Sequence, residues 1–260
     1  MYSLTRFTLR EMTECGATLR KLGLGASSME DVANKLVSYF YHQFRDPETG
    51  ESTLALVRFF KTHVYGELPT SLQKIADQML GDRPHVAELK CLTLMATAGD
   101  RPEWNTRTAS VGHQAIPLMS KQMVAQAPMI SQLIKQLGLT IEDVIAPIPD
   151  LLIDLQDRTY NVFHVAEAQG SPYIPAQAEF VEPFQIRSVL GFGGILPSGN
   201  LMTIIFFSKL PIKRETAELF KPLALNAKLA VLPFDQGAIF APSGTFVPSD
   251  TSRDLEKSFS

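Results

Sequence analysis

Residues 180–209 read FVEPFQIRSVLGFGGILPSGNLMTIIFFSK, and this stretch decides the fold. Two apolar runs, Ile186–Leu196 and Leu201–Phe207, flank Pro197, Ser198, Gly199 and Asn200. Proline pre-sets one turn dihedral, and glycine and asparagine tolerate the left-handed backbone that a tight reversal needs. Val, Ile and Phe on either side favour the pleat. The stretch predicts a β-hairpin with both strands largely buried. Directly after it, Leu219, Phe220, Leu223, Ala227 and Val231 recur at helical spacing and predict a helix over 214–232.

Working back toward the N-terminus, Asn161–Ala168 reads as a core strand, and the Pro-rich 170–176 segment as a loop leading into the hairpin. Ser120–Leu137 has a helical period that Pro128 should kink or split. Pro147 and Pro149 break 141–155 into short helical turns. The polar, turn-rich 99–112 segment is a loop holding the single tryptophan. Val86–Ala96 alternates as a half-buried strand, Thr70–Leu80 is a short helix, and Thr53–His63 (TLALVRFFKTH) is an apolar first strand. Two helices precede it: a loose pattern over Thr5–Leu22 ended by glycines, then one capped by Ser28 with Val32, Leu36, Val37, Phe40 and Phe44 on its stripe. The expected fold class is α+β, an antiparallel sheet flanked by helices on both faces. Residues 27–234 form the domain, 1–26 an N-terminal helical extension, and 235–260, rich in Ser, Pro and Gly, a linker or disordered tail.

Hydrophobic residues make up 45% of the 260 and charged residues 20%, enough apolar content for a real core. A net charge of −3 with no basic run argues against a nucleic-acid surface. The N-terminus has no apolar run suited to a signal peptide or membrane span. Cys15 and Cys91 stand far apart without metal-ligand spacing, so the cytosol is the default compartment.

The order Phe184, Gln185, Ile186, Arg187, Ser188, Val189, Leu190, hairpin, terminal helix resembles the C-terminal half of GAF domains, the small-molecule-sensing modules of signalling proteins. The match is best over 181–234, and the family usually carries Gly where Gln185 stands. The excursion over 99–160 exceeds a minimal GAF domain and is similar to sensory regions found ahead of bacterial histidine kinases. The resemblance implies a ligand held between sheet and helical lid, a homodimer joined through terminal helices, and a downstream kinase or other output module. Neither nucleic acid nor membrane is an expected partner.

Candidate ligand-binding residues follow from chemistry. Trp104 with Arg107 suits a planar or anionic ligand, or Trp104 simply pins the loop. Arg187 reaches toward an anion or pairs with Glu179 or Glu182. Met129 belongs to an adaptable lid, and Phe192 sits within Gly191-Phe192-Gly193-Gly194, where glycines permit close approach of a backbone or a ligand. A strand rather than a helix N-terminus follows those glycines, which disfavours a phosphate loop. Asp143, Asp150, Asp154 and Asp157 lack calcium-loop spacing, and no histidine pair suggests a metal site. The cofactor is unknown. Some GAF sensors hold haem through one axial histidine, for which His113 is best placed. Bilin attachment is disfavoured, since Leu92 rather than His follows Cys91. The alternatives are a ligand-free dimerisation module and, behind it, a GAF-fold redox enzyme using Cys91, with Cys15 a doubtful resolving thiol.

Overall fold

The computed structural model describes residues 1–110, 112–152, 154 and 161–241. Its centre is one antiparallel sheet of six strands: β1 (Leu54–Val64), β2 (Lys90–Gly99), β3 (Ala115–Pro117), β4 (Val162–Val165), β5 (Ser188–Ile195) and β6 (Leu201–Ser208). They lie in the order β3-β2-β1-β6-β5-β4. The hairpin forms as the turn chemistry dictates, with β5 and β6 in unbroken register from Ser188 opposite Ser208 to Ile195 opposite Leu201, and Gly199 at φ +76° in the turn. Helices cover both faces, so the α+β class holds.

On one face lie α1 (Leu9–Leu22), α2 (Met29–Gln43) and α8 (Phe220–Val231). Thr8 caps α1 through a reciprocal capping box with Glu11, and Ser28 accepts the Asp31 N–H at the head of α2. This side is organised by rings: Phe40 meets Phe206 at 5.0 Å, and Phe192 meets Phe206 and Phe220 at 5.3 Å each. Offset and edge-on arrangements of this kind add to area burial. The N-terminal helix is packed into that core through Cys15 and Leu19. Gly16 abuts Asn226, and Gly23 abuts the Ala230 carbonyl, so α1 and α8 run side by side in the same direction. The other face carries the lid, α4 (Lys121–Ala125), α5 (Pro128–Gln136) and α6 (Ile141–Ile145), whose Val124, Leu133, Ile134 and Val144 pack with Phe163, Ile205 and Phe207. Helix α3 (Thr70–Leu80) covers the β2–β3 edge.

Several boundaries differ from the sequence expectation for local reasons. β2 begins at Lys90, not Val86, because its partner β1 ends at Val64, which pairs with Lys90; Val86 to Leu89 close a turn instead. The terminal helix divides into α7 (Arg214–Glu218) and α8, since Pro222 has no N–H to offer the Glu218 carbonyl. Pro128 splits the lid helix into α4 and α5 as expected. The short β3 and a π-helical turn at Gln177–Val181 are additions. The start of the expected tail, 235–241, packs back on the domain: Met29 and Glu30 N–H groups donate to the Ala238 and Ile239 carbonyls. Asp157 and the tail beyond Ala241 lie outside the described residues.

Candidate functional site

β1 lies between β2 and β6 in mid-sheet, so its side chains meet a covered face on either side. Yet its sequence carries three basic residues, Arg58, Lys61 and His63. Arg58 sits beside Leu56 and Phe60 of the lid-side core, opposite Thr97 on β2 and Ile205 on β6. Its Nη2 donates to Ser110 Oγ at 3.1 Å, while its Nε is buried without a partner. No carboxylate forms an ion pair with it among the described residues. Burial pushes the guanidinium pKa down to about 10, a measure of how poorly the charge is compensated. The Thr97 hydroxyl, on the paired strand, is also buried and unbonded. Polar atoms out of water without partners cost free energy unless something else binds them. Such a group, under the 99–115 loop and on the lid side, can bind an anion.

The expected ligand residues do not converge there. Trp104 packs on Phe184 at 4.5 Å and Phe180 at 5.7 Å, and over Gly99 beside Leu56, which fastens the loop to the lid-side core. Arg101 lies over the Phe184 ring at 4.9 Å. Arg107 turns instead to α2, where its Nε and Nη2 donate to Glu30 Oε1 at 3.0 and 2.8 Å. The aromatic and the guanidinium therefore serve separate contacts. Phe192 is fully buried in the aromatic core on the face opposite the lid, because alternation along β5 sends Val189 to one side and Leu190 and Phe192 to the other. Arg187 is solvent-exposed, and neither Glu179 nor Glu182 forms an ion pair with it. Met129 is partly buried against the lid-side core.

His113 is the expected residue nearest the candidate site. It stands on an exposed turn at φ +57°, its pKa lowered by desolvation and then by the Arg58 charge. An axial haem ligand belongs on the floor of an apolar cleft, so this histidine does not fit that role. Among the described residues no group of three His, Cys, Asp or Glu is placed to hold a metal. Burial pushes both the Cys15 and the Cys91 thiol up to about 12, the opposite of what a nucleophile needs. The Gly191–Gly194 run is a packing device: Gly193 faces the Met202 carbonyl where a Cβ would stand, and Gly191 faces Phe163. An apolar groove of about 180 Å³ opens at the sheet edge between α3 and the lid, lined by Met79, Ile116, Met123, Ala127 and Ile130 among others. A shallow, more polar depression of about 370 Å³ lies beyond β4, around His164 and Tyr173.

Among the described residues no helix is long and apolar enough to cross a membrane. No family model and no curated protein matches the sequence. Among solved structures, the chain is similar to the GAF domain from a phosphoenolpyruvate-protein phosphotransferase of Coxiella burnetii, at 13% identity and a TM-score of 0.43, over 87% of this chain and 94% of that one. An identity and a score this low carry no function from one to the other.

Proposed function

We propose that the protein is a cytosolic GAF-like sensor that binds a small molecule bearing an anionic group between the sheet and the 99–160 excursion. The observation behind this reading is Arg58: a half-buried guanidinium on the central strand, on the lid side, its Nε enclosed without a partner, with a hydroxyl for its bonded neighbour and no acid. An enclosed guanidinium nitrogen with no partner is satisfied when an anion meets it. Thr97 and Ser110 would share the anion, and His113 would stand at the rim. Differential affinity for two lid positions would provide the signal.

Output would pass through α1 and α8 to a second copy of the chain. Leu225, Leu229 and Leu232 are 51%, 45% and 41% exposed and recur at helical spacing on the outer side of the C-terminal helical segment. An apolar stripe on a helix that is already packed on its other side favours a homodimer, with any kinase or other output module downstream. Replacing Leu225 and Leu229 by Glu should convert a dimer to a monomer by light scattering. The same stripe also suits the second reading, a dimerisation module without a ligand.

Native mass spectrometry on protein purified straight from cells, followed by thermal shifts against a panel of carboxylates and phosphate monoesters, separates the two. The sensor reading expects a bound anion, or a shift of several degrees, that Arg58→Met abolishes. Equal responses from wild type and variant would place no anion at Arg58 and overturn the sensor reading.

A further inference from the structure

The remaining basic residues of β1 build a second polar site, on the helical face away from the lid. The Lys61 side chain is wholly buried, its Nζ has no hydrogen bond, and its nearest acid is Asp235, at 3.9 Å. His63 is 1% exposed with neither ring nitrogen bonded, and its ring lies 5.2 Å from that of Phe240. Lys90 Nζ donates to Asn200 Oδ1 at 2.7 Å, bringing a second ammonium to the hairpin turn. Desolvation lowers the pKa of all three; among acids Lys61 feels Asp235 first and then Glu67, and Lys90 feels Glu67 first and then Asp235.

Asp235 is held as a ligand would be. Its Oδ2 accepts the Ser198 N–H at 2.8 Å, and its Oδ1 accepts the Ser198 hydroxyl at 2.7 Å, with the Lys61 ammonium behind it. A backbone N–H, a hydroxyl and an ammonium converging on one carboxylate form the donor set of an oxyanion site. The carboxylate belongs to the strap 235–241, which follows the last helical turn, Leu232–Phe234, and covers His63 through Phe240. The rest of the strap is held by two bonds from the head of α2, by the Ala241 N–H on Glu30 Oε2 at 3.0 Å, by Ile239 and Phe240 packed on the core, and by Arg107 over the Phe240 ring at 5.6 Å.

We propose that Ser198, Lys61 and Lys90 form a binding site for a small external oxyanion, a carboxylate or a phosphate, which Asp235 fills as an internal stand-in, so that the external anion displaces the 235–241 strap. No bond is made or broken; one anion replaces another. Three buried nitrogens without a hydrogen bond, one of them facing Asp235 only across 3.9 Å, lie beneath a short strap, as an exchangeable cover would leave them, whereas a permanent core would have bonded them. The site lies across the sheet from Arg58 and does not depend on the lid ligand.

The test uses the full chain and its Asp235→Ala variant, with sodium formate and inorganic phosphate as probes at constant ionic strength. Either probe should raise the melting temperature of the variant and slow Ser198 amide exchange at least fivefold, whereas the wild type should respond only above the ~mM effective concentration of its tethered carboxylate. A variant that also carries Lys61→Met should not respond. In the wild type the same probe should speed exchange of the Met29 and Glu30 amides that hold the strap. A larger response to phosphate or to formate assigns the anion class. Wild-type strap amides indifferent to both probes, or an Asp235→Ala response matched by the double variant, would overturn the proposal. Should Asp235→Ala not fold, Asp235→Asn takes its place with the same expected responses.

Discussion

Gln185 holds φ at +52°, in the left-handed region, between the π-helical turn and β5. A side chain there costs roughly 1–2 kcal/mol, offset in part by the greater unfolded-state entropy of glycine. Gln185→Gly should therefore raise stability by about 0.5–1 kcal/mol in chemical denaturation, and Gln185→Val should lower it. Gly193 is the opposite case, since the Met202 carbonyl occupies the place of its Cβ. Gly193→Ala should cost about 3 kcal/mol or more, as backbone strands cannot give way as flexible side chains do, and should broaden or abolish the unfolding transition. At this scale the sequence was partly legible. Residue type left two roles open both for the glycine run and for Trp104, and packing against backbone and rings is the one the contacts display. The direction of Arg107 did not follow from residue type, because its partner Glu30 lies 77 residues away and no local pattern announces it.

Among the elements, β1 departs furthest from its own pattern. TLALVRFFKTH reads as an apolar strand, and that reading hid its most informative feature: Arg58, Lys61 and His63 inside a run that must be buried on both faces. Charge inside a central strand was the signal that could have found the candidate site. Lys61 makes the cost measurable. Desolvation pushes its pKa down to about 8, while in the unfolded chain it titrates near 10.4. Between those values the unfolded state binds more protons, so this residue's contribution to stability rises with pH. The buried Cys15 and Cys91 thiols act in the opposite sense above pH 9. The clean quantity is therefore the difference between Lys61→Met and wild type. It should shift in favour of the wild type by about 1.4 kcal/mol per pH unit between pH 8 and 10, read from urea unfolding. Other boundaries were set by partners rather than by composition: β3 is three residues long and exists because β2 offers it an edge.

On the scale of the whole molecule, one sheet is covered by unlike layers: an aromatic core with long helices on one face, and a lid of short, proline-broken helices on the other. Apolar runs on either side of the hairpin turn, with helical periods before and after them, made the α+β class readable from the sequence. The site was less readable, because it depends on which face each β1 residue meets. The account rests on Arg58 serving a ligand and not the fold. Arg58 is half-buried with an enclosed, unpartnered Nε, so an apolar side chain of similar length in its place should stabilise the chain by about 1 kcal/mol, or a few degrees for a domain of this size. The deciding measurement is paired thermal unfolding of wild type and Arg58→Met in buffer free of added anions. A higher melting temperature for Arg58→Met is the predicted result; a melting temperature lowered by several degrees would contradict it and make Arg58 a structural residue.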